Sequence, residues 1–129
     1  MRAIYLCLVL FIAAVAADVQ KLEVPPGKEV DIESENYPED ANANSDLKWE
    51  LSTTSGHVIN LKCSDIRLFE EKPCGPWVLR ITDGDETEEL CTTKFDYEKK
   101  FKTNKILVNF KTGPEARGFL QCTATAVKK

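Results

Sequence analysis

The sequence predicts an all-β domain, an antiparallel β-sandwich, from three observations. Apolar residues alternate with polar residues along five segments, and turn residues interrupt this alternation about every ten positions. Helical periodicity is weak throughout the chain. Four cysteines in strand-like segments, Cys63, Cys74, Cys91 and Cys122, indicate a small fold held by two disulfides in an oxidising compartment.

The first 17 residues have the three parts of a secretory signal peptide. Arg2 gives a positively charged start, an apolar run extends from Ile4 to Val15, and small residues follow. The alternative is a membrane anchor, but an apolar run of about 13 residues is too short for a hydrocarbon core of about 30 Å. We therefore predict cleavage after Ala16 or Ala17, removal of residues 1–17, and secretion of residues 18–129 as one domain with no membrane span.

Each predicted strand has one apolar face, because successive side chains in a strand point to opposite sides. These faces form the predicted core. In chain order they are Leu47, Trp49 and Leu51; Ile59, Leu61 and Cys63; Trp77, Leu79 and Ile81; Ile106, Val108 and Phe110; and Leu120, Cys122, Ala124 and Ala126.

Turn residues separate these strands. Pro25-Pro26-Gly27 follows an entry strand, and polar residues form a loop between 36 and 45. Asp83-Gly84-Asp85 predicts a hairpin turn. The polar segment 92–101 is predicted to be loop and short strand. Three aromatic residues are expected to anchor it to the core: Phe95, Tyr97 and Phe101.

Four cysteines allow three disulfide pairings. Cys63 and Cys122 both have the inward phase of their strands, whereas Cys74 and Cys91 lie at the outer ends of the two strands joined by the acidic turn. This favours Cys63–Cys122 and Cys74–Cys91, which would add about 4 and about 3 kcal/mol on a loop-entropy estimate. The alternative is a zinc site, but the spacing contains no CxxC and the chain has one histidine.

Charge is unevenly distributed along the chain. The full sequence has 17 Lys and Arg against 21 Asp and Glu, a net charge of −4, which argues against a nucleic-acid partner. Residues 18–91 hold 7 basic and 18 acidic groups, net −11, whereas residues 92–129 hold 9 basic and 3 acidic groups, net +6. This asymmetry predicts a basic binding face unless the β topology interleaves the two halves.

The basic half contains a cluster of lysines near the three aromatic residues of segment 92–101. Such a cluster can hold sulfated or phosphorylated ligands by ion pairing and stacking, and the alternative is an ordinary solvated surface. The acidic hairpin turn is a second charged cluster. Its residues lack the ligand spacing of an EF-hand loop, so we expect a solvated tip rather than an ion site. The lysines are Lys94, Lys99, Lys100, Lys102, Lys105 and Lys111, and the acidic residues are Asp83, Asp85, Glu86, Glu88 and Glu89.

Several short motifs follow one another from Ser34 onward. They lie at residues 34–38, 47–51, 55–61, 74–84, 89–91 and 118–119. In this order and spacing they resemble the CUB domain family, an extracellular module. The first is similar to its S-x-N-Y-P loop, the second to its C-x-W-x-I strand and the last to its closing G-F strand. The resemblance implies a jelly-roll-like sandwich that recognises an extracellular protein or glycan through surface loops.

The chain departs from the family pattern at two places. The first family disulfide is missing, because Leu47 stands at one of its positions and the other falls near Lys21 or Leu22. Many family members bind calcium through one Glu and two Asp side chains. In this chain the Glu would lie near Phe69 or Glu70. The two Asp positions hold Trp77 and Gly113, so we predict no calcium site and expect Trp77 to pack inward.

His57, the one histidine of the chain, carries no sign of catalysis. No G-x-S-x-G, H-E-x-x-H or phosphate-binding loop accompanies it, so a strand-end histidine is favoured over a hydrolase triad. The sequence therefore predicts a secreted, non-enzymatic binding module that needs no cofactor. The alternative is a venom or salivary effector that acts on a host target or protease.

Overall fold

The computed structural model describes residues 19–69 and 75–129, which form nine strands and no helix. The predicted signal peptide, residues 1–17, lies outside these ranges and stays a prediction. The all-β fold is confirmed. The strands are β1 Val19–Glu23, β2 Glu29–Glu33, β3 Asp46–Ser52, β4 His57–Arg67, β5 Val78–Asp83, β6 Glu86–Leu90, β7 Tyr97–Lys100, β8 Lys105–Lys111 and β9 Phe119–Lys128.

Two sheets face each other. One has five strands in the order β1-β3-β8-β5-β6, and the other has four in the order β2-β9-β4-β7. Neighbouring strands are antiparallel except β1 and β3, which run parallel. The charge-rich edges of β6 and β7 disfavour edge-to-edge pairing with another chain.

The predicted apolar faces meet between the two sheets, as the alternation predicts. Leu51, Ile59, Leu79 and Val108 are fully buried, and Trp77 is 5% exposed. The last predicted position of β9, Ala126, is half-buried and packs against the same cluster. Fully burying a residue of this kind is worth about 1.5–3 kcal/mol, so these faces supply the main driving force of folding.

Strand β4 contains a β-bulge at Ser64. Cys63 pairs with Cys122, but the next paired residue is Asp65, opposite Gln121, which leaves Ser64 as the extra residue. Before the bulge, odd-numbered residues point into the core. After it the phase reverses, so Ile66 is fully buried and Arg67 lies on the outer face.

A disulfide joins the two central strands of the four-stranded sheet. Cys63 and Cys122 are fully buried opposite each other, with their Sγ atoms 2.07 Å apart. Cys91 is half-buried and is also disulfide-bonded. Cys74 lies outside the described residues, so the Cys74–Cys91 pairing stays a prediction.

The segment 92–101 forms the expected loop and short strand, but one of its three expected anchors is wrong. Phe101 is 2% exposed and Tyr97 is half-buried, whereas the Phe95 side chain is 58% exposed. The reason is local. Two backbone hydrogen bonds between Lys94 and Ile66, of 2.8 and 2.9 Å, fix the chain at the end of β4, and Phe95 then lies over the outer face.

Candidate binding surfaces

The acidic hairpin β5–β6 lies against part of the lysine cluster. Lys99 Nζ is 3.3 Å from Glu88 Oε1, and Lys102 Nζ is 3.1 Å from Glu86 Oε1. The Tyr97 hydroxyl donates to the same Glu88 oxygen at 2.8 Å. The topology therefore interleaves the acidic and basic halves here, which is the alternative that the sequence left open.

The other lysines do not form one continuous face. Lys100 pairs with Asn60 near the start of β4, whereas Lys94 bridges to Ile66 near its end. At about 3.3 Å per residue, these two positions are about 20 Å apart along the strand. Lys105 begins β8 in the other sheet. The structure thus separates Lys94 from Lys100, and the anionic-ligand patch stays a prediction.

Asp83, in the acidic turn, is an internal support. Its carboxylate accepts hydrogen bonds from the backbone N–H groups of Lys102, at 2.8 Å, and Thr103, at 3.2 Å, and from the Thr103 hydroxyl. Burial raises the pKa of this carboxyl, but these hydrogen bonds outweigh burial and hold its pKa below the ordinary value.

Within residues 19–69 and 75–129, no cluster of three His, Cys, Asp or Glu side chains could hold a metal ion.

The positions aligned with the family's calcium ligands hold a stack of aromatic and cationic groups. The Trp77 and Phe69 rings meet edge to face at 5.6 Å between centroids, and Arg117 Cζ lies 3.9 Å from the Phe69 centroid. A Cβ at Gly113 would come within 2.8 Å of the Trp77 ring. Calcium needs several oxygen ligands, and this packing does not fit it. Glu70 lies outside the described residues.

Trp77 is fixed by a polar contact as well as by packing. Its Nε1–H donates to the carbonyl oxygen of Arg117 at 3.2 Å, and its side chain is buried in the core as predicted. A buried indole N–H needs a hydrogen-bond partner, and this contact supplies one. The loop around Arg117 is therefore joined directly to the start of β5.

The outer face of the four-stranded sheet carries a second cluster, which we call the Arg67 surface: Tyr37, Arg67, Phe95 and Phe119. Arg67 and Phe119 are paired across β4 and β9, and Arg67 Cζ lies 5.3 Å from the Phe119 centroid and 5.6 Å from the Phe95 centroid. Tyr37 meets Phe119 edge to face at 5.7 Å. The guanidinium is thus held between two aromatic rings.

Sequence reasoning missed the Arg67 surface. The available signal was the change of apolar phase from Cys63 to Ile66 and Leu68, which a single extended strand cannot accommodate on one face. Reading a bulge at this point would have placed Arg67 outward.

The S-x-N-Y-P loop is bound tightly to this end of the sandwich. Ser34 Oγ accepts a 2.9 Å hydrogen bond from the N–H of Leu120, and the Tyr37 hydroxyl donates to Asp65 Oδ2 at 2.6 Å. The hydrogen bond to Asp65 is the main reason why the pKa of Tyr37 is raised. Tyr37 therefore supports the Arg67 surface from a fixed position.

His57 begins β4, the strand-start position that the sequence predicts. Its Nδ1 lies 3.4 Å from the Thr54 hydroxyl in the preceding turn. Across the two described stretches, no carboxylate forms an ion pair or hydrogen bond with it, so the arrangement of a catalytic triad is not present there.

Residues 26–120 match the CUB domain family, and the chain belongs to that family. It is 49% identical over 133 residues to Venom CUB domain-containing protein 2 of Platymeris rhadamanthus, with 100% of each chain covered. It is 32% identical over 97 residues to Tolloid-like protein 1 of Homo sapiens, which covers 70% of this chain and 9% of that protein.

Solved structures show the same fold. The full extracellular region of zebrafish Gpr126/Adgrg6 superposes with a TM-score of 0.73 at 14% identity, over 84% of this chain and 15% of that one. The MASP-1 CUB2 domain bound to Ca²⁺ superposes with a TM-score of 0.65 at 18% identity, over 84% of this chain and 97% of that one. Among the described residues, none forms a helix long and apolar enough to cross a membrane.

Proposed function

We propose that this chain is a secreted, non-enzymatic venom protein that binds an extracellular protein without calcium. The observation that carries the proposal is the 49% identity, along the whole length of both chains, to Venom CUB domain-containing protein 2. The sequence supports secretion through the leader pattern of residues 1–17.

Two features of the site support binding rather than catalysis. Among the described residues, the side-chain hydrogen-bond contact of the His57 ring is with the Thr54 hydroxyl, which does not make a nucleophile, base and carboxylate set. The Arg67 surface, in contrast, presents an exposed aromatic ring and an arginine on a rigid sandwich, and such side chains are enriched where proteins bind proteins.

Calcium independence rests on the packing of Trp77 against Gly113 and of Phe69 against Arg117. Because the ligand positions are filled by side chains, added calcium should not bind to the native state, and only a ligand that binds the native state raises stability. The melting temperature should therefore be equal in EDTA and in about 5 mM calcium, a concentration above the weakest extracellular affinities of about 1 mM.

The proposal is tested with the oxidised, secreted form of the chain immobilised on a resin and exposed to extracellular proteins. We expect a captured protein whose amount is the same in calcium and in EDTA, and no turnover of peptide or ester substrates. Turnover that disappears in a His57→Ala variant would show an enzyme, and capture that disappears in EDTA would contradict calcium independence. Expression throughout the body, rather than in a venom or salivary gland, would contradict the venom role.

A further inference from the structure

We propose that the Arg67 surface binds a carboxylate-bearing, partly apolar peptide segment of the extracellular protein partner. This inference rests on the proposed binding function and specifies where and what the chain binds. The segment's Asp, Glu or terminal carboxylate would pair with the Arg67 guanidinium, and a neighbouring apolar side chain would cover Phe95.

The first support is the position of the guanidinium. The bulge at Ser64 turns Arg67 outward, and the register of β4 and β9 places it directly opposite Phe119. The bridge between Lys94 and Ile66 then brings Phe95 to the other side of Arg67. Because backbone hydrogen bonds fix the backbone of β4 and β9 and of Lys94, next to Phe95, these residues do not have to be brought together when a partner binds.

The second support is that this cation has aromatic neighbours but, among the described residues, no carboxylate paired with it. Within the described residues the Arg67 side chain makes no ion pair and no hydrogen bond, and its Nε atom is buried without a hydrogen-bond partner. The nearby carboxylate of Asp65 accepts the Tyr37 hydroxyl at 2.6 Å. An arginine binds a carboxylate through two parallel hydrogen bonds, and the two Nη groups of Arg67 can supply these without the buried Nε, so a carboxylate is the ligand that matches this cation.

The third support is the apolar rim. Phe95 is 58% exposed, and within residues 19–69 and 75–129 the other exposed large apolar side chain is Val19, at 38%. An exposed aromatic beside an arginine is typical of the few residues that carry most of the energy of a protein–protein interface. Burying an aromatic side chain here would also exclude water from the new ion pair and strengthen it.

These features favour a peptide over a sulfated polysaccharide. A polyanion binds through a row of cations, because its charges repeat along the chain. At this end of the sheet, the lysine that the strand pairing places beside Arg67 is Lys94, opposite Ile66. Lys99 and Lys102 are paired with glutamates, and Lys100 lies about 20 Å along β4 from Lys94. One unpaired arginine between aromatic rings matches one carboxylate with apolar neighbours.

The test uses a displayed library of random peptides selected on the immobilised, oxidised secreted protein. We expect the selected peptides to carry Asp or Glu next to an apolar residue. For a synthetic selected peptide, Arg67→Met and Phe95→Ala should each weaken binding by about tenfold or more, as at central interface residues. Replacing the peptide Glu by Gln, or Asp by Asn, should weaken it similarly, and these two losses should not add when Arg67 is already Met.

Lys100→Gln is the matched control, because it removes an exposed cation of the same sheet outside the Arg67 surface. The affinity of this variant for the peptide should stay within twofold of wild type. The melting temperatures of Phe95→Ala and Arg67→Met show whether weaker peptide binding comes from a lost contact or from a destabilised fold. Selection that yields no peptide, yields peptides without acidic residues, or yields peptides that bind Arg67→Met normally would overturn the proposal. The proposal would also be overturned if heparin fragments displaced the peptide and the Arg67→Met variant bound heparin as well as the wild type does. If the variants still capture the extracellular partner at the wild-type level, this surface is wrong while the binding function stands.

Discussion

At the scale of single residues, Asp83 shows how a charge is accommodated inside this domain. It is 8% exposed, and among the described residues it is the one charged side chain that is buried. Two backbone N–H groups and one hydroxyl from residues 102 and 103 compensate the loss of water. The contact joins the β5–β6 turn to the loop that precedes β8, so one carboxylate holds two loops together.

Asp83→Asn should lower the free energy of unfolding by about 1.5–3 kcal/mol at neutral pH, the usual contribution of a hydrogen bond to a charged group. The folded-state pKa of Asp83 is depressed below an unfolded value of about 3.9. Its stabilisation is therefore fully present above about pH 4 and is lost as the pH falls through the folded-state pKa. Denaturant unfolding of both proteins at several pH values measures this difference.

The control for this experiment is Asp85→Asn in the same turn, since Asp85 is exposed. Its effect should be within about 0.5 kcal/mol, as for other surface substitutions. A wild-type advantage over Asp83→Asn that stays constant down to the most acidic pH would show that the charge of Asp83 contributes nothing.

At the scale of elements, strands β4 and β9 form the centre of the four-stranded sheet. Their ladder runs from His57 opposite Lys128 to Arg67 opposite Phe119, interrupted at Ser64. The Cys63–Cys122 disulfide closes a sequence separation of 59 residues beside the bulge. It covalently joins the two strands at the point where the hydrogen-bond ladder is broken, and so it fixes the register that places Arg67 outward.

Replacing Cys63 and Cys122 together by Ala should lower the free energy of unfolding by about 4 kcal/mol on the loop-entropy estimate. The predicted Cys74–Cys91 bridge, removed in the same way, should cost about 3 kcal/mol because its loop is shorter. Denaturant unfolding measures both values. Peptide mapping without reduction should recover one fragment that links residue 63 to 122 and another that links 74 to 91, whereas a fragment linking 63 to 74 or 91 would contradict both pairings.

The sequence predicted the core better than the surface, and the reason is physical. Alternation with period two identified Leu51, Leu79 and Val108 as inward-facing, because burial of apolar residues is a local property of a strand. The Arg67 surface depends on a one-residue bulge and on which loops lie over which strands. The sequence predicts Phe95 in the core as it does Tyr97 and Phe101, because composition alone cannot show which of these aromatic residues the topology leaves outside.

At the scale of the whole molecule, the two oppositely charged parts of the chain are brought together. The sequence has an acidic first part and a basic last part. Lys99 and Lys102 lie beside Glu88 and Glu86, so the electrostatic fields of these groups largely cancel at a distance. Pairs as exposed as these contribute little to stability, and their larger effect is on what the surface attracts.

The protein should therefore leave a heparin column below physiological salt, about 0.15 M. Glu86→Gln combined with Glu88→Gln should raise the salt needed for elution, because it exposes the charge of Lys99 and Lys102. Glu29→Gln combined with Glu39→Gln gives the same change in net charge without breaking an ion pair, since both glutamates are exposed and form no ion pair among the described residues. Equal retention of the two double variants would show that net charge alone decides.

The contact of Trp77 with Gly113 also restricts how this domain can change by mutation. While the indole occupies that space, no side chain larger than hydrogen fits at position 113 without displacement, so an acidic residue cannot be accepted there first. Removing the indole first would open a void in the interior, at a cost of about 3–5 kcal/mol for a tryptophan truncated to alanine. Either order passes through a destabilised intermediate, so descendants of this sequence should retain the packing of Trp77 against Gly113.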